Sequence, residues 1–266
     1  MAAPASPAAL PAVLPVFPLT GSLLLPGNWL PLNVFEPRYR NLVADATGAG
    51  GGGSQSGPGR SGESSPGRSG EGGEQGQGRE EGAGERGGRW IGMIQPRVPH
   101  QDNWPALDEP PANPELYTVG CAGRIERCEP QPDGRYLVLL KGVSRFRVRR
   151  ELALLRGYRR VAADFAEFAA DLLEPEVELD PAPLLRAVRE FGQAQGLAFD
   201  LDVLAALPGV ALLNGLAVAL PFRPAEKQAL LEADGPHDRQ RILLALMGMG
   251  VEPLDPGDYY APPKVH

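Results

Sequence analysis

From Thr47 to Arg89 the chain contains no Val, Ile, Leu, Met, Phe, Trp, Tyr or Cys, and this stretch holds 18 of its 34 glycines. Five arginines there stand against six glutamates, so the charge nearly cancels. Such a composition cannot bury enough apolar surface to offset the entropy of ordering the chain. Residues 47–89 are therefore expected to be a disordered insert, and whatever folds must lie on either side of it. Closure cost grows only logarithmically with loop length, so a domain tolerates the insert between a helix and the next strand. The lone Arg86-Gly87-Gly88 triplet amid glutamates reads as filler, not as an RNA-binding tract.

Ahead of the insert the hydrophobic period changes. Leu30, Leu32 and Val34 are apolar at alternate positions with Asn33 between two of them, which predicts a strand. Pro37 then suits the first helical position, where a missing N–H costs nothing, and Glu36 stands where the helix dipole favours negative charge. Tyr39, Leu42, Val43 and Ala46 follow at i, i+3, i+4 and i+7, one apolar face of a short helix. Further upstream, 13–25 holds two apolar runs whose prolines predict edge strands or strand ends. Residues 1–12 read as a disordered leader.

Beyond the insert, 90–96 predicts a short apolar strand. Residues 97–114 form a proline-rich loop whose His100, Asp102, Asp108 and Glu109 have no fixed geometry for a metal. The pattern from Leu116 is β. Asp133-Gly134 between two strand-like runs signals a hairpin, and 135–142, nearly all apolar, is expected to be central and buried on both faces. Val143, Phe146 and Val148 then alternate with Arg145, Arg147 and Arg149, which predicts one apolar and one basic, solvated face. Another strand is expected at 158–165. After Pro175 the chain turns helical, opening at Asp180-Pro181, with further helices at 199–207, 210–220, 225–233 and 237–247. Residues 250–266 read as a flexible tail.

These motifs resemble the Lon protease N-terminal (LON) domain. The resemblance lies in Phe35-Glu36-Pro37-Arg38-Tyr39-Arg40, in Gly-Cys-Ala-Gly-Arg-Ile at 120–125, in Lys-Gly-Val-Ser-Arg-Phe-Arg-Val at 141–148 and in Leu-Pro-Phe-Arg-Pro at 220–224. It implies an α+β fold: a β-rich, PUA-like LON barrel at 13–175, then an α-helical subdomain at 176–249. It also implies recognition of unfolded or exposed segments of client polypeptides in protein quality control, alongside a separate protease or chaperone. Sheet edges and apolar grooves would supply that binding. The surface expected to do it joins Glu36, Arg38, Tyr39 and Arg40 to Arg145 and Arg147. The structural alternative makes Glu36 a helix cap or an arginine's partner, and Tyr39 a core residue.

The chemistry of an engine is missing from the sequence. No GxxxxGK[ST] loop cradles phosphates, and no GxSxG elbow or Ser–Lys peptidase segment follows the helices. The three histidines, His100, His237 and His266, give no fixed base. Neither an enzyme nor a cofactor is expected. Cys121 and Cys128 form no metal motif and read as thiols in a reducing compartment, with a regulatory disulfide as the alternative. No basic leader or membrane-length apolar run occurs, so the chain is expected to be soluble and cytoplasmic. A net charge of −7 and a pI near 5.1 argue against nucleic acid as the main partner. Two alternatives stay open. One is PUA-like RNA binding through the seven arginines between 145 and 160. The other is a small-ligand scaffold, to which a pocket lined by Trp29, Trp90 and Trp104 would point.

Overall fold

The computed structural model describes residues 10–48, 89–97, 114–173 and 177–250. Most of the leader, the insert and the tail lie outside these residues, as does the proline loop with His100, Asp102, Trp104, Asp108 and Glu109. Within them the fold is α+β. The strands are β1 (Val13–Pro18), β2 (Trp29–Val34), β3 (Trp90–Ile94), β4 (Val119–Pro130), β5 (Tyr136–Leu155) and β6 (Tyr158–Asp164). The helices are α1 (Pro37–Thr47), α2 (Ala182–Gln195), α3 (Leu201–Ala205), α4 (Gly209–Ala219), α5 (Pro224–Glu232) and α6 (Pro236–Met249). The predicted hairpin forms: Gly134 adopts φ 81° and its N–H donates to Gln131 O.

The two runs expected as separate strands on either side of Gly142 are one strand, the 20-residue β5. A bulge makes this continuity possible. Gly142 pairs with Gly123 but Ser144 with Ala122, so Val143 is the extra residue and the facing of every later side chain is reset. The first half of β5 lies between β2 and β4, and its second half pairs with β6. Pairings β5–β4, β4–β3, β3–β1, β1–β6 and β6–β5 close a five-stranded ring, with β2 attached outside it. Between the β2 and β6 segments, a 3-10 helix (Ala166–Leu172) packs on β5, and Asp171 accepts from the Arg145 backbone N–H at 2.9 Å.

β1 is not an edge strand. It runs parallel to β3 and antiparallel to β6. Its prolines are tolerated because each lies where only one neighbour pairs: Pro15 opposite β6 and Pro18 opposite β3. The second upstream run is no strand at all. Leu23, Leu24 and Leu25 are buried in irregular chain packed on the sheet.

Inside the ring sit Leu14, Val16, Ile94, Leu116, Ala122, Phe146 and Val161. The Phe146 ring fills the centre because Gly120 leaves it room. A Cβ on Gly120 would lie 2.6 Å from both Met93 O and Phe146 Cζ. Outside the ring, a larger cluster is continuous from Tyr39, Leu42 and Val43 of α1 through the sheet to Leu184, Leu213, Leu230 and Leu243 of the helices. The helices therefore share the sheet's outer core.

Candidate functional site

The period change at Glu36 produces the expected corner. Pro37 opens α1, and Gly48 closes it in the left-handed conformation with its N–H on Asp45 O. Glu36 is the N-cap residue but makes no side-chain cap bond. It accepts instead from Arg38 Nε at 2.9 Å. Tyr39 is core: it stacks on Phe17 at 4.0 Å, with the Arg38 guanidinium 4.7 Å above its ring. Burial, the largest influence, pushes its hydroxyl pKa up. Arg40 reaches away to the β4–β5 turn, where a Cβ on Gly134 would meet its Nη2 at 2.5 Å.

A different part of the later β block meets this corner than the one expected. The β5–β6 turn, Arg156-Gly157, docks on α1. Arg156 is the one non-glycine residue described with positive φ, 49°. It is held there by Asn41, which donates to its carbonyl at 3.0 Å, and by an ion pair with Asp45. Tyr158 Oη also donates to Asp45, at 2.9 Å; burial and that bond push the phenol pKa up to about 12.

Arg145 and Arg147 lie elsewhere. Arg145 is 5% exposed, and the expectation of a solvated face fails at this position. Its guanidinium pairs with Asp171, donates to Leu231 O and Ala233 O, and stacks 4.7 Å over Phe168. It ties β5 to the C-terminus of α5, whose carbonyls otherwise lack partners. Arg239 does the same from α6, donating to Leu230 O and Asn214 Oδ1; burial, with Arg145 nearby, pulls it down to about 10. Arg147 is half-exposed and bidentate to Glu167, which lowers the Glu167 pKa.

Most of the remaining arginine strip is likewise engaged. Arg149 pairs with Asp164, Arg159 with Glu151, and Arg160 donates to Ala153 O. Among these seven arginines, five carry a carboxylate partner, which leaves little free positive field for a phosphate backbone. Cys121 and Cys128 share strand β4 seven residues apart, about 23 Å at 3.3 Å per residue, far beyond disulfide reach. Cys121 is fully buried, which raises its pKa strongly. No group of three or more His, Cys, Asp or Glu among the described residues could hold a metal. No described helix is long and apolar enough to cross a membrane.

An apolar surface does lie open, built from residues not expected from sequence to form the binding surface. Among the described residues β2 ends the sheet order, with no strand beyond it. Across β2, β5 and β4, one row is Trp29–Lys141–Arg124, the next Pro31–Leu139–Arg127 and the third Asn33–Leu137–Glu129. Trp29 is 50% exposed, Leu137 43% and Phe35 41%. The first half of β5 is thus buried on one face only, contrary to expectation, because no described helix packs on the other. Lys141 sits 5.5 Å over the Trp29 ring. The signal was present in sequence as the alternation Trp29, Pro31, Asn33, but only the sheet order shows that this face is uncovered. Trp90 pairs with Arg124, so the two described tryptophans stand at opposite ends of one four-strand row. Three strand spacings separate them, about 14 Å, and they do not line a common pocket.

Comparison with known proteins agrees with this architecture. The chain is 29% identical over 251 residues to Lon protease 2 of Sorangium cellulosum, covering 90% of this chain and 25% of that protein. It is 31% identical over 152 residues to the Lon protease of Desulfovibrio desulfuricans, covering 54% of this chain and 17% of that protein. It thus spans about a quarter or less of these relatives. The N-terminal domain of Mycobacterium avium complex Lon protease shares its fold, with a TM-score of 0.51 at 15% identity over 89% of this chain and 98% of that one. A Lon N-terminal domain protein from Xanthomonas campestris is 26% identical, with a TM-score of 0.48 over 88% and 97% of the two chains. The family model for the ATP-dependent protease La (LON) substrate-binding domain matches residues 13–248, and the chain belongs to that family.

Proposed function

We propose that this chain is a recognition module that binds exposed, extended segments of unfolded client proteins and does not cut them. It would act in the cytoplasm beside a separate protease or chaperone. The observation that carries this reading is the uncovered apolar strip of Trp29, Pro31, Leu137, Leu139 and Phe35 at the open end of the sheet. Family membership supports protein substrates in general, and the strip supplies a place for them. A contiguous apolar patch on an otherwise charged surface favours association through area removed from water. The corner residues Glu36, Arg38, Tyr39 and Arg40 serve this reading by setting α1 at the end of β2, Tyr39 against Phe17 of β1 and Arg40 beside the β4–β5 turn. Arg145 and Arg147 serve it by fixing β5.

The test is a titration of a permanently unfolded casein at low and moderate salt, with a single-stranded RNA in parallel. Casein is expected to bind with Kd near micromolar, about −8 kcal/mol, with little salt dependence because the contact is apolar. Leu137→Asp changes an exposed position and is expected to weaken binding about tenfold or more without altering Tm. RNA binding that salt removes, with no casein binding, would put the arginine strip in its place.

A further inference from the structure

The outer edge of β2 carries a hydrogen-bonding pattern of its own. Gly142 N–H donates to Asn28 O at 2.8 Å and Gly142 O accepts from Gly27 N–H at 2.9 Å, so Gly142 turns both backbone groups towards the strand that enters β2. The antiparallel register is unbroken from Trp29–Lys141 to Val34–Tyr136. Bonded and non-bonded pairs alternate along such a ladder. Leu30, Leu32 and Val34 therefore turn their backbone groups to β5, while Trp29, Pro31 and Asn33 turn theirs to the open edge. Proline stands at a position whose N–H would otherwise point outward, so it costs β5 nothing. The edge offers two N–H donors, at 29 and 33, and three carbonyls. It is also the edge beside which the apolar strip lies.

From this geometry we infer that one extended segment of a protein substrate adds to β2 as an antiparallel strand, its main chain bonded to Trp29, Pro31 and Asn33. The inference rests on the substrate-recognition reading and gives it a register. Antiparallel pairing is the more stable arrangement per residue. In it, paired residues share a face, so the residues of the segment that bond to β2 also lay their side chains beside Trp29, Leu139 and Leu137. Apolar side chains are selected at those alternate positions. Charge complementarity selects the end: Lys141 has an indole beside it and no described carboxylate, and takes an Asp or Glu of the segment next to Trp29. Pro31 removes the central donor. It holds the affinity down and keeps the edge from pairing tightly with β2 of a second copy.

The probe is a peptide alternating valine and threonine with one terminal aspartate. It is compared with two derivatives, N-methylated at all valines or at all threonines. Strand addition predicts that methylation at the valines, which face β2, weakens binding tenfold or more, while methylation at the threonines, which face solvent, leaves it within twofold. Pro31→Val restores the missing donor without touching the β5 ladder and is expected to tighten binding of the unmodified peptide about three- to tenfold. The same variant is expected to self-associate in sedimentation at concentrations where the wild type is monomeric. Equal affinity of the two methylated peptides, or no response to Pro31→Val, overturns strand addition. If casein still binds in that case, the recognition reading survives alone; if neither casein nor peptide binds, both fail.

Discussion

Lys227 is only 8% exposed on α5, and its ammonium donates to Val218 O, in the last turn of α4, at 3.0 Å. No described carboxylate offsets its burial, which lowers its pKa from 10.5 to about 8. At pH 7 the amine is charged in both folded and unfolded chains, so the burial cost is fully present. As pH rises from 8 past 10.5 the folded chain releases the proton first, and that cost disappears. Lys227→Met keeps the shape and removes the charge. It is expected to stabilise the fold at pH 7 by about 1–3 kcal/mol, the lost bond to Val218 O offsetting part of the gain. Denaturant melts at pH 7 and pH 10.5 check this; an advantage that does not shrink at the higher pH would refute it. Neither Lys227 nor Arg145 could be placed from sequence. A cation within a helical or alternating pattern looks solvated until the opposing surface is known, and for Arg145 that surface comes from residues 171 and 231–233.

α1 and the β5–β6 hairpin hold each other through Asp45, which pairs with Arg156 and accepts from Tyr158. Asp45→Ala leaves Arg156 in the left-handed region without its ion pair, a conformation costly for a residue with a Cβ. Amide exchange at residues 152–158 is expected to speed up about tenfold, with exchange in β3 and β4 unchanged. Equal acceleration throughout would mean that the pair supports the whole barrel and not its tip. Elements set by local chemistry were legible in sequence: the strand-to-helix switch at Pro37, the Asp133-Gly134 turn, β6, and the helices after residue 180. α1 runs through Thr47, a residue assigned to the insert, because composition marks the loss of apolar residues and not the last helical turn. Of the two readings the prolines allowed for β1, the strand end holds at Pro18 but the edge does not, because ring closure by β6 arises from residues nearly 150 positions away. The uncovered strip was missed for a related reason. An apolar run of strand length does not reveal whether one face or both will be covered.

At the scale of the molecule, the outer face of the sheet and the helices contribute to one hydrophobic cluster. Arg145, Gln95 and Gln228 cross between them, Gln228 Nε2 donating to Val119 O and Gln95 Nε2 to Pro224 O. Neither part can shed the other without exposing that core and orphaning those groups. Thermal unfolding is expected to be a single transition, with far-ultraviolet ellipticity and tryptophan fluorescence superimposing. Two separated midpoints would show that the helices melt independently. The ring also sets a timetable for biosynthesis. β1 leaves the ribosome ahead of the other described strands but pairs through Val13 with Ala162. At about 5–20 residues per second, Leu14 and Val16 wait roughly 7–30 s for the partner that encloses them. A run of bare valines and leucines would be a hazard over that interval, and Pro15 and Pro18, so unpromising for a barrel stave, keep the waiting strand from stacking with its neighbours on a polysome.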